Sequence, residues 1–544
     1  MISRASLLRL ADNVGLSGLQ LPRSRRAPAA PILKPYDDSK NLRFRLIAAA
    51  LLLGLVGFCL IYGFFFAVTA PYLATQSLIP IVVVMGLAVW ALPEQRTAPV
   101  GALSVMFTAY IIGLLLWPRY LALALPGLPW ISMQRLTGFP LALLLMICIS
   151  SSADFRKELS TRLKGVPYIW PLFLLFIAAQ IISLPFSKEI VASVQRVVSQ
   201  QIDWTCIFLV SCYICARKGR SWKILWIIMA TAAINVVFAV WEAKDQALPW
   251  INIVPSFLKV QDAEQYLQGW KRTIDGVYRA KSVFSTPLGL AEYLALLTPF
   301  FLHMVVTNYP LWKRLIGLVM LPAAALAIEL SHSRVGTVGM FVSTVFYVLF
   351  WGLVRWRNSK SDVIGPAIVL GYPVLAGIAY MTAMTIPAVR IRLLGGGSQQ
   401  SSTQARFNQF DMAFPKFLAN PIGHGAGQAG GTMGYAPGQF VTVDSYYIIT
   451  MLEYGALGLF AIIGIFVSAI VASLNTAFRE KIDPTSEEGL ILPITVGLAA
   501  FLVIKLVFGQ PDNHPMVFVL VGMLVALLSR RREAKAAAAT GAAA

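Results

Sequence analysis

Charged side chains are scarce in this sequence. Asp, Glu, Lys and Arg make up 13% of its 544 residues, about half the roughly 25% of a soluble globular chain. With 57% hydrophobic residues and a mean hydropathy of +0.70, too little polar surface remains to cover a water-exposed chain of this length. The scarcity excludes a soluble enzyme, a secreted disulfide scaffold and a disordered regulator. Cysteine is also sparse: Cys59, Cys148, Cys206, Cys212 and Cys215 all fall in apolar runs. Cys212 and Cys215 form a C-x-x-C without the second pair or His cluster that a four-ligand zinc site needs, so all five read as core. The chain has four His and no H-E-x-x-H, which leaves a catalytic metal or cofactor without sequence support. G-K-[ST] is absent. Gly425, Gly427 and Gly430 spell a literal G-x-G-x-x-G, but no strand precedes it, no βαβ unit surrounds it, and nucleotide binding is rejected. A tight backbone approach to a ligand, or a simple flexible loop, is the reading kept for residues 423–434.

Long apolar runs take the place of polar surface. They recur from about residue 46 to residue 529 and predict an all-α polytopic integral membrane protein with about 12–14 transmembrane helices. The spans fall at 46–69, 74–92, 99–117, 136–150, 168–186, 204–216, 222–241, 284–306, 311–329, 335–354, 363–386, 446–474, 488–509 and 513–529; the fourth and sixth are short. The domain organisation that follows is a basic tail over 1–45, a transmembrane domain over 46–529 and a second tail over 530–544. Ser3 to Leu21 reads as a basic amphipathic helix on an anionic leaflet.

The net charge of +20 suggests nucleic acid until its distribution is considered. Arg156, Lys157, Arg162 and Lys164 form one cluster between spans, and Arg217, Lys218, Arg220 and Lys223 a second. Arg355, Arg357 and Lys360, then Arg530, Arg531, Arg532 and Lys535, complete the set. Placing both tails in the cytoplasm puts every cluster inside, which is the positive-inside pattern. Orientation in a bilayer therefore explains the charge, and no nucleic-acid partner is expected. Two long loops, 242–283 and 387–445, then lie outside. Two helical segments join that face. Residues 187–203 carry Ile190, Val191, Val194, Val197, Val198 and Ile202 on one side, as in a helix lying in the interface. Residues 404–418 space Phe407, Phe410, Phe414 and Phe417 similarly, with Pro415 expected to kink or end that helix.

Ionisable residues inside spans are costly and need a partner or a role. Glu329 and Lys505 read as structural pairing within the bundle; Glu292 and Glu453 follow the two outer loops and are expected to reach a cavity open to the outside. Arg279, Lys281, Arg334, Arg390, Arg392 and Arg406 meet at the outer boundary. Guanidinium groups match phosphate oxygens in planar geometry and stay charged at membrane depth, so the set points to an anionic ligand such as a lipid pyrophosphate. His332, His424 and His514 belong to the same face, whereas His303 reads as structural.

Four pieces of the second half, in order, resemble the O-antigen ligase and polymerase superfamily of membrane glycosyltransferases. The first, Arg279-Ala280-Lys281-Ser282-Val283-Phe284-Ser285-Thr286-Pro287 on to Glu292, is similar to R-x-x-G-x-F-x-x-P-N-x-x-A, with Ser282 for Gly and Leu288 for Asn. Ser331-His332-Ser333-Arg334 is similar to S-x-S-R at a span end. Arg406 through Pro421-Ile422-Gly423-His424-Gly425 is similar to R-x-x-x-W…P-x-x-G-x-G, with Phe410 for Trp and a spacing shorter by one. Asp444-Ser445-Tyr446-Tyr447-Ile448 followed by Glu453-Tyr454-Gly455-Ala456-Leu457-Gly458 is similar to H-N-x-Y-L…E-x-G-x-x-G. The resemblance covers about residues 200–475 and implies a GT-C-like architecture.

The resemblance also implies an activity: metal-independent, inverting transfer of a glycan from a polyprenyl-pyrophosphate carrier outside a bacterial inner membrane, without a cofactor. Asp444 stands where ligases carry a His, which favours a polymerase elongating repeat units over a ligase transferring the glycan to lipid A core. A flippase or other transporter is the alternative from a different class. Arg279, Lys281, Arg334, Arg406 and Tyr447 are then expected to bind pyrophosphate or substrate. Asp444 is expected to act on the acceptor hydroxyl, with Glu453 and His424 behind it and Arg279 assisting catalysis. The alternative role for Asp444 is a helix N-cap. The partners implied are the lipid-linked oligosaccharide, the bilayer and a chain-length-regulating protein.

Overall fold

The computed structural model describes residues 79–95, 97–124, 131–250, 252–260, 276–358, 361, 363–387, 400–435 and 443–541, with scattered positions between 46 and 62. The chain divides into two compact units, Met1–Ser77 and Leu78–Ala544. In the first, every described position is helical and Phe58 stacks on Tyr62 with ring centroids 5.8 Å apart. The amphipathic reading of Ser3 to Leu21 lies outside the described residues.

The second unit is a helical bundle. Among the described residues, eleven helices are long and apolar enough to cross a membrane, and Val100–Leu116 is a shorter apolar helix. The span expected at 204–216 is the second half of a longer rod. Residues Ile190–Gln200 continue through a π-helical turn at Gln201–Cys206 into Ile207–Cys215. The helix expected to lie flat at 187–203 is therefore continuous with a candidate membrane span: Gln200 and Gln201 bond Gln180 and Ser193 and Val197 are buried, while Ile190, Val191, Val194 and Val198, with Gln195 and Arg196, are exposed. Pro415 does not end its helix either; Gln400–Ala419 runs through it. Among the described residues, the strands form a small antiparallel sheet of Leu121–Leu123 between Ile131–Ser132 and Leu258–Val260.

Two helices lie at the centre. Pro287–Val306 packs against Leu311–Leu330, Arg334–Asn358 and Ile491–Ile504, and His514–Gly541 packs along Ile207–Cys215. Hydrophobicity does little to hold apolar helices together in lipid, so close packing of small residues must do so. A Cβ on Gly336 would lie 2.4 Å from the Ala291 Cβ, and one on Gly522 would lie 2.6 Å from the Phe208 carbonyl oxygen.

The basic clusters gather at one end of the bundle and find acids there. Arg530 pairs with Glu487 at 2.6 Å, Arg531 with Glu480 at 2.9 Å and with Glu488, and Arg162 with Glu533. Glu487 also accepts the backbone N–H groups of Gly219 and Ser221 at the start of the Arg220–Asp245 helix, where a carboxylate is favoured. His303 is structural, bonded to the Tyr347 hydroxyl at 3.0 Å and the Pro484 carbonyl at 3.2 Å. Lys505 is paired inside the bundle, with Nζ 2.8 Å from Glu292 Oε1 and neither side chain exposed. Glu292 therefore does not reach an open cavity as expected from the sequence: Lys505 and the Asn513 amide, at 2.9 Å, occupy its carboxylate. Glu329, expected within the bundle, is exposed at the end of its helix.

Candidate functional site

At the opposite end of the bundle, a cavity of about 630 Å³ opens between the Arg334–Asn358 helix, the Gln400–Ala419 helix, the Tyr446–Arg479 helix and residues 503–507. Arg334 begins its helix, and Val335, Val338 and Gly339 carry the wall inward by about 7.5 Å at 1.5 Å per residue. Phe410, Ile448, Met451 and Leu459 continue an apolar lining, while Arg334, Arg406, Gln409, Ser445 and Tyr447 supply its polar groups. A cavity that is apolar in depth and cationic at particular points matches an amphiphile with an anionic head.

Arg406 and Asp444 come together from distant parts of the chain. Arg406 Nε lies 4.0 Å from Asp444 Oδ2, and both side chains are partly exposed. Asp444 is not the helix cap: Ser445 holds that position, with no side-chain capping bond. Its backbone N–H instead donates to Gln409 Oε1 at 2.8 Å. Burial raises the Asp444 carboxyl above its ordinary range, and the Arg406 guanidinium partly opposes that rise. A carboxylate in this state binds a proton more readily than one in free solution.

The sequence reading did not single out Gln409. It sits one helical turn beyond Arg406 on the same face, is buried, lines the cavity, and keeps an Nε2 donor with no acceptor among the described residues. The i, i+3 spacing from Arg406 was the available signal, but no rule applied to the sequence separates such a Gln from any other.

Of the remaining candidates, Tyr447 lines this cavity and Arg279, Lys281, His424 and Glu453 do not. Arg279 donates from Nε to the Ser331 carbonyl at 3.0 Å, and Ala280 N–H donates to the Leu330 carbonyl at 3.1 Å. Both bonds brace the turn that delivers Arg334, in which His332 adopts φ +46°. Lys281 is turned inward, with Nζ 4.5 Å from the centre of the Tyr120 ring, and its backbone N–H donates to Glu242 at 3.0 Å. Burial pulls the Lys281 amine down to about 8, with Glu242 opposing the shift. Tyr447 lines the cavity while its hydroxyl donates to the Leu502 carbonyl at 2.7 Å. Arg390 and Arg392 lie outside the described residues.

Glu453 and His424 form a separate assembly. The Tyr446–Arg479 helix is interrupted at Gly455, with φ +66° and ψ −162°, and the glycine-rich loop fills the interruption. Gly425 N–H donates to the Glu453 carbonyl at 3.0 Å, His424 N–H to the Leu452 carbonyl at 2.8 Å, and Ala456 N–H to the Pro421 carbonyl at 2.9 Å. The Glu453 carboxylate lies against the backbone N–H groups of Gly427 and Ala429 and the Arg196 guanidinium. The close backbone approach that the glycines permit is thus to the chain's own broken helix: a Cβ on Gly455 would lie 2.0 Å from the Pro421 oxygen. Sequence spacing alone did not distinguish that partner from a ligand.

A family described as O-antigen ligase matches residues 316–463. No curated protein matches the chain. The matched stretch contains Arg334, Arg406, His424, Asp444, Tyr447 and Glu453, whereas Arg279 and Lys281 precede it. It supports a glycosyltransferase-type ligase or polymerase activity in general. The match over residues 316–463 supports membership of the O-antigen ligase and polymerase superfamily for this polytopic membrane protein.

Proposed function

We propose that the protein is a glycosyltransferase on the outer side of a bacterial inner membrane, polymerising polyprenyl-pyrophosphate-linked oligosaccharide repeat units into a surface polysaccharide. One observation carries the reading. Arg334, Arg406 and the adjoining Asp444 meet at a cavity whose remaining walls are largely apolar. Such a cavity suits an isoprenoid chain, its pyrophosphate and a hydroxyl acceptor. The basic clusters at the other end of the bundle suit the cytoplasmic side.

In this reading Arg334 and Arg406 bind the pyrophosphate and stabilise the charge that grows on it as it leaves. The acceptor hydroxyl oxygen attacks the anomeric carbon from the opposite side. The bond from that carbon to the pyrophosphate oxygen breaks, its electron pair departs with polyprenyl pyrophosphate, and the hydroxyl proton passes to the Asp444 carboxylate. Inversion follows from one in-line displacement. The raised proton affinity of Asp444 suits it to the task, and Gln409 positions it through the backbone. Arg279 acts through the 331–334 turn. Glu453 and His424 hold the broken helix that carries Asp444 and Tyr447 at its start. A chain-length-regulating protein is the expected partner.

The test is purified protein in lipid with a polyprenyl-pyrophosphate oligosaccharide, resolved by glycan size. A ladder of longer lipid-linked products, lost in Arg334→Ala, supports polymerisation. Transfer only to added lipid A core would replace it with the ligase reading. Folded protein that transfers to neither acceptor would return the transporter.

A further inference from the structure

A second cavity, of about 320 Å³, lies in the first half of the bundle, outside the stretch that matches the family. Three separate elements form it: Arg119 after the Val100–Leu116 helix, Gln134 and Arg135 at the start of Met133–Ser151, and Ser199 and Asp203 on the Ile190–Cys215 rod. Asp203 is an ionisable residue within a candidate membrane span, which calls for a role. It also sits in the π-helical turn Gln201–Cys206. Such turns break regular helical hydrogen bonding and are frequent at functional sites.

The polar groups are held in place before any ligand arrives. Asp203 Oδ1 accepts from the Tyr110 hydroxyl at 2.8 Å, and the Gln134 side chain bonds the same carboxylate. Arg119 is fixed by Asp512, donating to its carbonyl and lying 3.5 Å from its carboxylate. The Arg119 Nε remains buried with no acceptor among the described residues. Gly138 permits the close packing that forms the walls, since a Cβ there would lie 3.1 Å from Ile202 and 3.3 Å from the Tyr110 ring.

The lining carries Arg119, Arg135 and Asp203, and Arg119 is already paired with Asp512 outside the lining, so little uncompensated positive charge is left to cradle a pyrophosphate. The cavity offers planar donors and acceptors together with hydroxyls, and Phe139 provides an exposed ring at its edge. A neutral polyol uses that set most fully, because each sugar hydroxyl both donates and accepts. The volume lies at the lower end of ligand sites, roughly 300–1,000 Å³, and suits a mono- or disaccharide. The 503–514 segment touches both cavities: Val503, Ile504, Leu506 and Val507 line the first, and Asp512 holds Arg119 of the second.

We propose that the cavity of Arg119, Gln134, Ser199 and Asp203 is a carbohydrate subsite that holds a neutral sugar of the glycan beside the transfer site. The inference rests on the glycosyl-transfer reading for the source of the sugar; binding itself is measured without any donor. Full-length protein in nanodiscs is probed by saturation-transfer NMR with glucose, galactose, mannose, rhamnose and N-acetylglucosamine, and with inorganic pyrophosphate as competitor. At least one sugar is expected to receive saturation, with affinity about tenfold weaker or more in Gln134→Ala and Asp203→Asn. Arg406→Ala is expected to keep that signal, and pyrophosphate to leave it intact. Gln134→Ala changes a partly exposed side chain at a helix start and serves if Asp203→Asn fails to fold. Binding unchanged in both variants, displacement by pyrophosphate, or no transfer to any sugar overturns the subsite. Loss of the transferase reading would show separately, as no elongation by a wild-type protein that still binds sugar.

Discussion

Arg406 Nε lies 4.0 Å from Asp444 Oδ2 beside the larger cavity, and the Asp444 backbone N–H donates to Gln409, which lines that cavity. The cation thus sits where it can serve both a leaving pyrophosphate and the group that takes the acceptor proton. Asp444→Asn keeps the shape and removes the base. Its turnover is expected to fall about 10²–10⁴-fold with little change in donor binding, as measured by single-turnover elongation. A variant with near-wild-type turnover would assign Asp444 no role in the proton transfer.

Donor binding is expected to depend on Arg334. Arg334→Lys keeps the charge but loses the planar fork, and such an exchange is not conservative at a phosphate. The expected result is a raised KM for the lipid-linked donor in both Arg334→Lys and Arg334→Ala, larger in the latter. A KM unchanged in both variants would remove Arg334 from the pyrophosphate site.

The pH dependence has a definite sign. The folded Asp444 carboxyl titrates above its ordinary 3.8, raised by burial and partly lowered by Arg406. A carboxyl raised on folding favours the folded state below its unfolded value, and that contribution is lost as pH rises through the folded value. With Asp444 as the proposed base, activity needs its ionised form, so the acid limb of kcat/KM is expected above the ordinary Asp value. Removing the opposing cation in Arg406→Gln is expected to move that limb to higher pH, and a downward move would contradict the electrostatic argument.

The Glu292–Lys505 pair, at 2.8 Å with no exposure on either side, is expected to dominate stability. Lys505→Met strands a buried carboxylate at a cost of about 3–5 kcal/mol. Glu292→Leu combined with Lys505→Met is expected to recover most of that loss, because two apolar groups leave no charge unpaired. Thermal unfolding in detergent reads both, and additive losses in the double variant would contradict the pairing argument.

Gly455→Ala is expected to damage the glycine-rich loop and the helix break together. The φ of +66° and a Cβ position 2.0 Å from the Pro421 oxygen leave no room for a methyl group, and backbone strain alone is worth about 1–3 kcal/mol. Limited proteolysis within 420–434 is expected to rise, and equal protection in both proteins would argue against the loop being held by this break.

The membrane character, most spans and the end of the bundle that carries the basic clusters were legible in the sequence. Hydropathy is summed over some twenty residues and charge over whole loops, so single-residue errors average out. The union of 187–203 with 204–216 was hidden because Gln200 and Gln201 looked solvent-facing until Gln180 came to meet them. Glu292 looked free for the same reason: Lys505, its partner, is remote in sequence. Arg334, Arg406 and Asp444 could be named as residue types suited to a pyrophosphate and a proton. Their convergence on one cavity, and the inward turn of Lys281 and Glu453, depended on helices crossing at small residues such as Gly336. Tertiary packing decides which side chains share a space, whereas a local pattern records only which residues are present.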